Sequence, residues 1–155
     1  MKQDRGLRKL AGVCGIYCGT CPIYLAYQEN DADMLKEISN SRGVPIEKVR
    51  CDGCLSDHRF SDCRHGFLIC ANEKKVTWCF QCNDFPCQRL KDFRDIDIVN
   101  GISHHAHVVE ALRYMKKHGV EEWVKKQEKL AVCPKCGKTL YWFARNCPRC
   151  GAQVR

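Results

Sequence analysis

The sequence predicts a small α+β protein in which short helices and loops are organised around cysteine-rich metal sites, followed by a helical hairpin and a C-terminal zinc β-ribbon. Three observations predict it. Fourteen of the 155 residues are cysteine, which points to disulfides or metals as a source of stability beside the core. Two apolar-striped helical stretches lie next to each other between residues 103 and 131. The chain then runs into "CPKCGKTLYWFARNCPRCG", two C-P-x-C-G units whose C-x2-C pairs have ten residues between them. The expected division is a cysteine-rich domain over 1–100, the hairpin packed on it over 101–131, and the ribbon over 132–155.

The ribbon carries the strongest signal. Each C-x2-C can make a tight turn whose two sulfurs face one ion, and the glycine after each pair tolerates the positive φ such a turn wants. Cys133, Cys136, Cys147 and Cys150 then form a closed tetrahedral thiolate site of the kind that holds structural zinc. Rubredoxin-like iron uses similar turns with a longer segment between them. Residues 140–143, Leu-Tyr-Trp-Phe, suit a short β-hairpin between the two pairs.

The elements before it follow from local pattern. "PIYLAYQEN" reads as a short helix with Pro22 at its first position. A second follows, capped by Asn30 or Asp31, burying Met34, Leu35 and Ile38 and stopped by Gly43. "VPIEKVR" allows one helical turn. Between Cys51 and Cys87 hydrophobic periodicity gives way to closely spaced cysteines, with one short helix near "ICANEKK". "PCQRLKDFRD" starts another, with Pro86 near its first turn. Ser103 can cap a helix running to His118, with Val108, Val109, Leu112 and Met115 on one face and Gly119 as its end. "VEEWVKKQEKLAV" is its partner, with acids early and lysines late, as the helix dipole favours.

Ten cysteines remain: Cys14, Cys18, Cys21, Cys51, Cys54, Cys63, Cys70, Cys79, Cys82 and Cys87. Three pairs (18/21, 51/54, 79/82) have the C-x2-C spacing, and two more four-thiolate sites would use eight of the ten. His65 or His58 could replace a sulfur. The expected allocation joins Cys51/Cys54 to two of Cys63, Cys70, Cys79 and Cys82, and Cys18/Cys21 to the Cys87 side. About three zinc ions per chain follow from four thiolates per site. An iron–sulfur cluster is the alternative, because spacing alone does not identify the metal. Cys14, Cys18 and Cys21 share the C-x3-C-x2-C spacing of enzymes that split S-adenosylmethionine at such a cluster. Those enzymes need a large barrel, and no strand–helix alternation occurs here.

The N-terminal stretch lacks the uninterrupted apolar run of a signal peptide, and no segment approaches the ~18 apolar residues of a membrane span. The expectation is a cytoplasmic protein with reduced thiols and no membrane partner. The formal net charge is +8, and residues 113–155 hold eleven Lys/Arg against Glu121, Glu122 and Glu128. Fourteen thiolates with about three Zn²⁺ would contribute −14 + 6 = −8, so the loaded protein is near neutral and its basic C-terminal third is a local feature. That third, with Tyr141, Trp142 and Phe143, can meet a protein or RNA. The rings have a second role open to them, as apolar cover for the ribbon's site.

In "SHHAHVVE", His104, His107 and Glu110 could share one helix face as a metal or catalytic site, or line its first turn, with His105 leaning on the core. The helices at 103–130 could act as a DNA-reading helix-turn-helix or pack as a hairpin on the cysteine-rich part.

"CGIYCGTCPIY", "CDGC", "ICANEKKVTWCFQCNDFPCQRL" and "GVEEWVKKQEKLAVCPKCG" resemble, in order, an uncharacterised family of small cysteine-rich prokaryotic proteins with a domain of unknown function thought to bind zinc. Some members end in a zinc ribbon. The most specific pieces are C-G-x-Y-C-G-x-C-P and C-x2-C-x2-F-P-C. Members often carry another cysteine just after the one matching Cys63, where "CRHGFLIC" has His65 and Gly66, which points to His65 as a substitute ligand. The resemblance brings no reaction. No Ser/His/Asp, paired-carboxylate or phosphate-loop constellation is present, so a structural zinc protein that serves as an interaction module is expected rather than an enzyme. The alternative is a thiol redox, metal-handling or iron–sulfur protein with a reactive thiol such as Cys14.

Overall fold

A loop at residues 10–20 occupies the centre of the molecule, and the short elements are arranged around it. The computed structural model describes residues 6–60, 65–96 and 98–155. The elements are helices α1 (Pro22–Glu29) and α2 (Ala32–Arg42), a 3₁₀ turn at Ile46–Lys48, α3 (Phe67–Glu73), α4 (Gln88–Phe93), strands β1 (Ile98–Val99) and β2 (Ile102–Ser103), then α5 (Val108–His118) and α6 (Val120–Leu130). Further 3₁₀ turns lie at Cys18–Thr20 and Cys79–Gln81. The result is a small α+β fold with, among the described residues, one two-stranded antiparallel sheet. Among the described residues no helix is long and apolar enough to cross a membrane.

The central loop is held by backbone bonds rather than by regular structure. Gly12 N–H donates to Ile16 O at 2.8 Å and Cys18 N–H to Leu10 O at 2.8 Å. Other parts of the chain dock on it. Cys79 N–H donates to Val13 O at 3.0 Å, and the indole of Trp78 to Ala11 O at 3.3 Å. Gly15 has φ +94°, and a Cβ there would stand 2.7 Å from Val108 O, so α5 approaches the loop backbone where only glycine fits.

The principal core gathers Leu10, Val13, Phe67, Trp78, Leu90, Phe93, Leu112, Met115, Trp123 and Val124. It is built by the central loop, α3, α4 and the inner faces of α5 and α6. A second cluster of Ala26, Ile38 and Val49 lies between α1 and α2. The α1–α2 elements form where local signals put them. Asp31 caps α2 by accepting from Met34 N–H at 3.1 Å, and Gly43 ends it at φ +64°.

Several expectations need correction. Ser103 does not cap a long helix. It lies in β2, whose hairpin with β1 pairs Ile98 with Ser103 and Val99 with Ile102. The helix starts at Val108, with His107 before it. The β1–β2 segment has one turn's worth of pairing, too little for a period-2 signal in sequence. Helix α4 starts after Cys87, which is an extended N-cap, so Pro86 stands outside its first turn. His105 is 5% exposed and stacks on Phe93, with ring centroids 3.8 Å apart and its Nδ1 3.1 Å from Phe93 O. His104 lies beside Trp142 at 5.1 Å. His104 and His107 precede the helix, so the row with Glu110 on one helix face is not formed, although all three line one cleft of ≈ 420 Å³.

Candidate metal centres

The C-terminal segment is two copies of one small turn. In the first, Cys133 N–H donates to Lys138 O and Gly137 N–H to Cys133 O, both at 2.8 Å. In the second, Cys147 N–H donates to Ala152 O and Gly151 N–H to Cys147 O, again at 2.8 Å. Gly137 and Gly151 have φ +74° and +72°. Single antiparallel bridges, Val132 with Thr139 and Asn146 with Gln153, close each unit. The ribbon's strands are thus reduced to bridges, and residues 140–143 pass through a turn rather than forming a hairpin of their own.

The two turns bring Cys133, Cys136, Cys147 and Cys150 together with all four sulfurs within 4.8 Å of one another. Cys133 Sγ is 3.6 Å from Cys150 Sγ, and Cys136 Sγ is 3.5 Å from Cys147 Sγ. A tetrahedral site with metal–sulfur bonds of ~2.3 Å has sulfur–sulfur edges of about 3.8 Å, so the donor set fits a metal ion with little movement. Proton affinity is split within the cluster. Burial pushes the Cys147 thiol up, but the amides of Cys150 and Arg149 and the neighbouring thiols outweigh it and lower it to about 6. The Ala152 amide lowers Cys150, yet burial and the other three sulfurs push it up to about 11. Cys133 is lowered because the amides of Cys136 and Lys135 oppose its burial. A cluster that already favours partial deprotonation suits a cation that binds thiolates.

The ribbon is docked on the rest of the chain. Tyr141 Oη donates to Asp31 Oδ2 at 2.7 Å, Lys138 pairs with Glu29 at 2.7 Å, and Trp142 N–H donates to Thr20 O at 3.1 Å. Tyr141 also packs on the Ala26, Ile38 and Val49 cluster. Its hydroxyl, and then the Met34 amide, hold Asp31 below its ordinary 3.8. The stability this gives is present above 3.8 and lost as pH falls through the lower folded value. Thiolates are already protonated in that range, so the contact is best tested near neutral pH. There, Tyr141→Phe should cost about 0.5–1.5 kcal/mol in urea unfolding. No loss would mean that water satisfies Asp31 equally well.

The other described cysteines fall into two neighbourhoods. Cys14, Cys18, Cys21, Cys51 and Cys54 all line one cleft of ≈ 740 Å³. Cys54 is lowered to about 7, chiefly by the hydrogen-bonding Cys18 thiol, while Cys18 is raised by the same partner and by burial. Cys79 is pushed up to about 12 by burial and then by the charges of Cys87, Cys70 and Cys82. Among the described residues these sulfurs do not meet the close spacing of the C-terminal four. Cys63 lies outside the described residues. His58 is exposed and 3.7 Å from Asp52. His65 packs edge-on against Phe93 and His105 at 4.6 and 5.7 Å.

No curated protein and no solved structure matches the chain. One family model does, over residues 10–92. That span holds the buried central loop and both cysteine neighbourhoods and stops short of the helical hairpin and the ribbon. It covers more than half of the chain, which therefore belongs to the family described as "Protein of unknown function (DUF3795)".

Proposed function

We propose that the protein is a structural zinc-binding module that holds about three zinc ions in closed four-thiolate sites and serves as an interaction platform in the cytoplasm. The close approach of Cys133, Cys136, Cys147 and Cys150 carries this reading. Four protein sulfurs leave no open coordination position, so the metal supplies folding energy rather than a reactive water. The same proposal divides the chain into a cysteine-rich part (1–100), a helical hairpin (101–131) and a docked ribbon (132–155).

The basic C-terminal third is the surface we assign to an acidic protein or nucleic-acid partner. Part of its charge is engaged internally. Lys138 pairs with Glu29, Arg145 Nε donates to Asn100 O at 2.9 Å, and Arg155 caps the carbonyls of Tyr141, Trp142 and Ala144. Lys116, Lys117, Lys125 and Lys129 remain exposed along the hairpin. Trp142 is stacked on His104, so base stacking by that ring is not part of the reading.

Native mass spectrometry and elemental analysis of protein purified without air should show about three zinc ions per chain. Stoichiometric iron with sulfide-to-iron absorption would replace zinc with a cluster. Oligonucleotide titrations should show affinity that falls steeply with salt and is unchanged by Trp142→Ala. No binding tighter than ~100 μM at low salt would leave a protein as the partner.

A further inference from the structure

We infer a second four-thiolate metal centre formed by Cys18, Cys21, Cys51 and Cys54, two C-x2-C turns thirty residues apart in sequence. The inference rests on the zinc reading above and assigns ligands to one further ion.

Each half has the local form of a metal-binding turn. Cys21 N–H donates to Cys18 O at 3.0 Å, closing the 3₁₀ turn that carries the first pair. Gly53 N–H points at Cys51 Sγ at 3.4 Å in the second. Gly53 has φ +111°, and a Cβ there would stand 2.5 Å from Lys9 O, so this turn is pressed against the backbone that leads into the central loop.

Contacts that do not involve sulfur hold the halves together. Helix α1 starts directly after Cys21, and its Gln28 donates through Nε2 to Cys51 O at 3.1 Å and to Asp52 Oδ1 at 2.9 Å. One helix thus links both turns. All four cysteines line the same cleft, together with Arg42 and Arg59. A divalent ion on four thiolates carries a net charge of −2, and two guanidinium groups at the rim offset it. The four sulfurs are more open than the C-terminal set. Cysteine has a single side-chain torsion with three staggered wells, so rotation at Cα–Cβ is the movement that would draw the sulfurs together.

Loading the full chain with ¹¹³Cd and recording a ¹¹³Cd–¹H correlation spectrum reads the ligand sets directly. One cadmium resonance should couple to the β-protons of Cys18, Cys21, Cys51 and Cys54 and to no other cysteine. A resonance linking Cys18 or Cys21 to Cys70, Cys79, Cys82 or Cys87, or no cadmium on Cys18, overturns the inference. The resonance from Cys133, Cys136, Cys147 and Cys150 is the internal control. If it is present while the other fails, this inference alone falls; if it is absent, the zinc reading falls too. Zinc counting gives a second readout. Cys18→Ser and Cys51→Ser should each lose one ion, and the double variant should lose that same one ion. Loss of two ions from the double variant refutes a shared site. Where a variant does not fold, the cadmium spectrum of the native sequence decides.

Discussion

Cys133→Ser should release one metal ion and unfold the ribbon while leaving most of the helical far-ultraviolet signal in place. The ribbon's own apolar cluster is Cys133, Leu140 and Cys147, with a few half-buried neighbours. It has little besides its ligands to hold it, and structural zinc in peptides of this size is worth about 10–16 kcal/mol of apparent binding energy. The helices have a separate core around Leu90, Leu112, Met115 and Val124. They should survive, but not untouched. Losing the docked ribbon removes the Tyr141–Asp31 hydrogen bond and the Lys138–Glu29 pair, for a further destabilisation of roughly 1–2 kcal/mol. Native mass spectrometry and circular dichroism together check the outcome. Collapse of the whole helical signal would show that the ribbon is integral to the fold rather than docked on it.

Trp78→Ala should be the most damaging change among the apolar residues. Trp78 is 2% exposed, stacks against Phe80 with centroids 5.8 Å apart, and carries the Arg8 guanidinium 4.7 Å from its ring centroid. Its indole also satisfies Ala11 O in the buried loop. Truncation leaves a cavity and an unpaired carbonyl, at a cost of about 3–5 kcal/mol. That is a large share of the 5–15 kcal/mol typical of a small domain. Trp78 directly precedes Cys79, whose N–H is bonded to Val13 O, so the variant should also loosen the turn that carries Cys79. Urea unfolding of the loaded protein measures the cost. A loss under ~1 kcal/mol would mean that the metal sites, not this core, hold the centre of the molecule.

The local pieces are legible from neighbouring residues alone. C-x2-C followed by glycine specifies the turn at Cys133 and at Cys147, because the hydrogen bonds that close it lie within five residues. The Asp31 cap, the Gly43 stop and the apolar stripe of Val108, Leu112 and Met115 are legible for the same reason. The family, too, was visible in the spacing of its cysteines. Tertiary structure decided what those pieces meet. Cys51 and Cys54 line the same cleft as Cys18 and Cys21, because the loop at 10–20 is buried and Gln28 of α1 reaches back to the second turn. Two of the ribbon aromatics are engaged with the body of the protein, Tyr141 with Asp31 and Trp142 with His104, and Phe143 stacks on Tyr141. Residues 98–103 form a hairpin too short to leave a period. Each of these depends on chain path over tens of residues, where spacing carries no information and burial selects the partner.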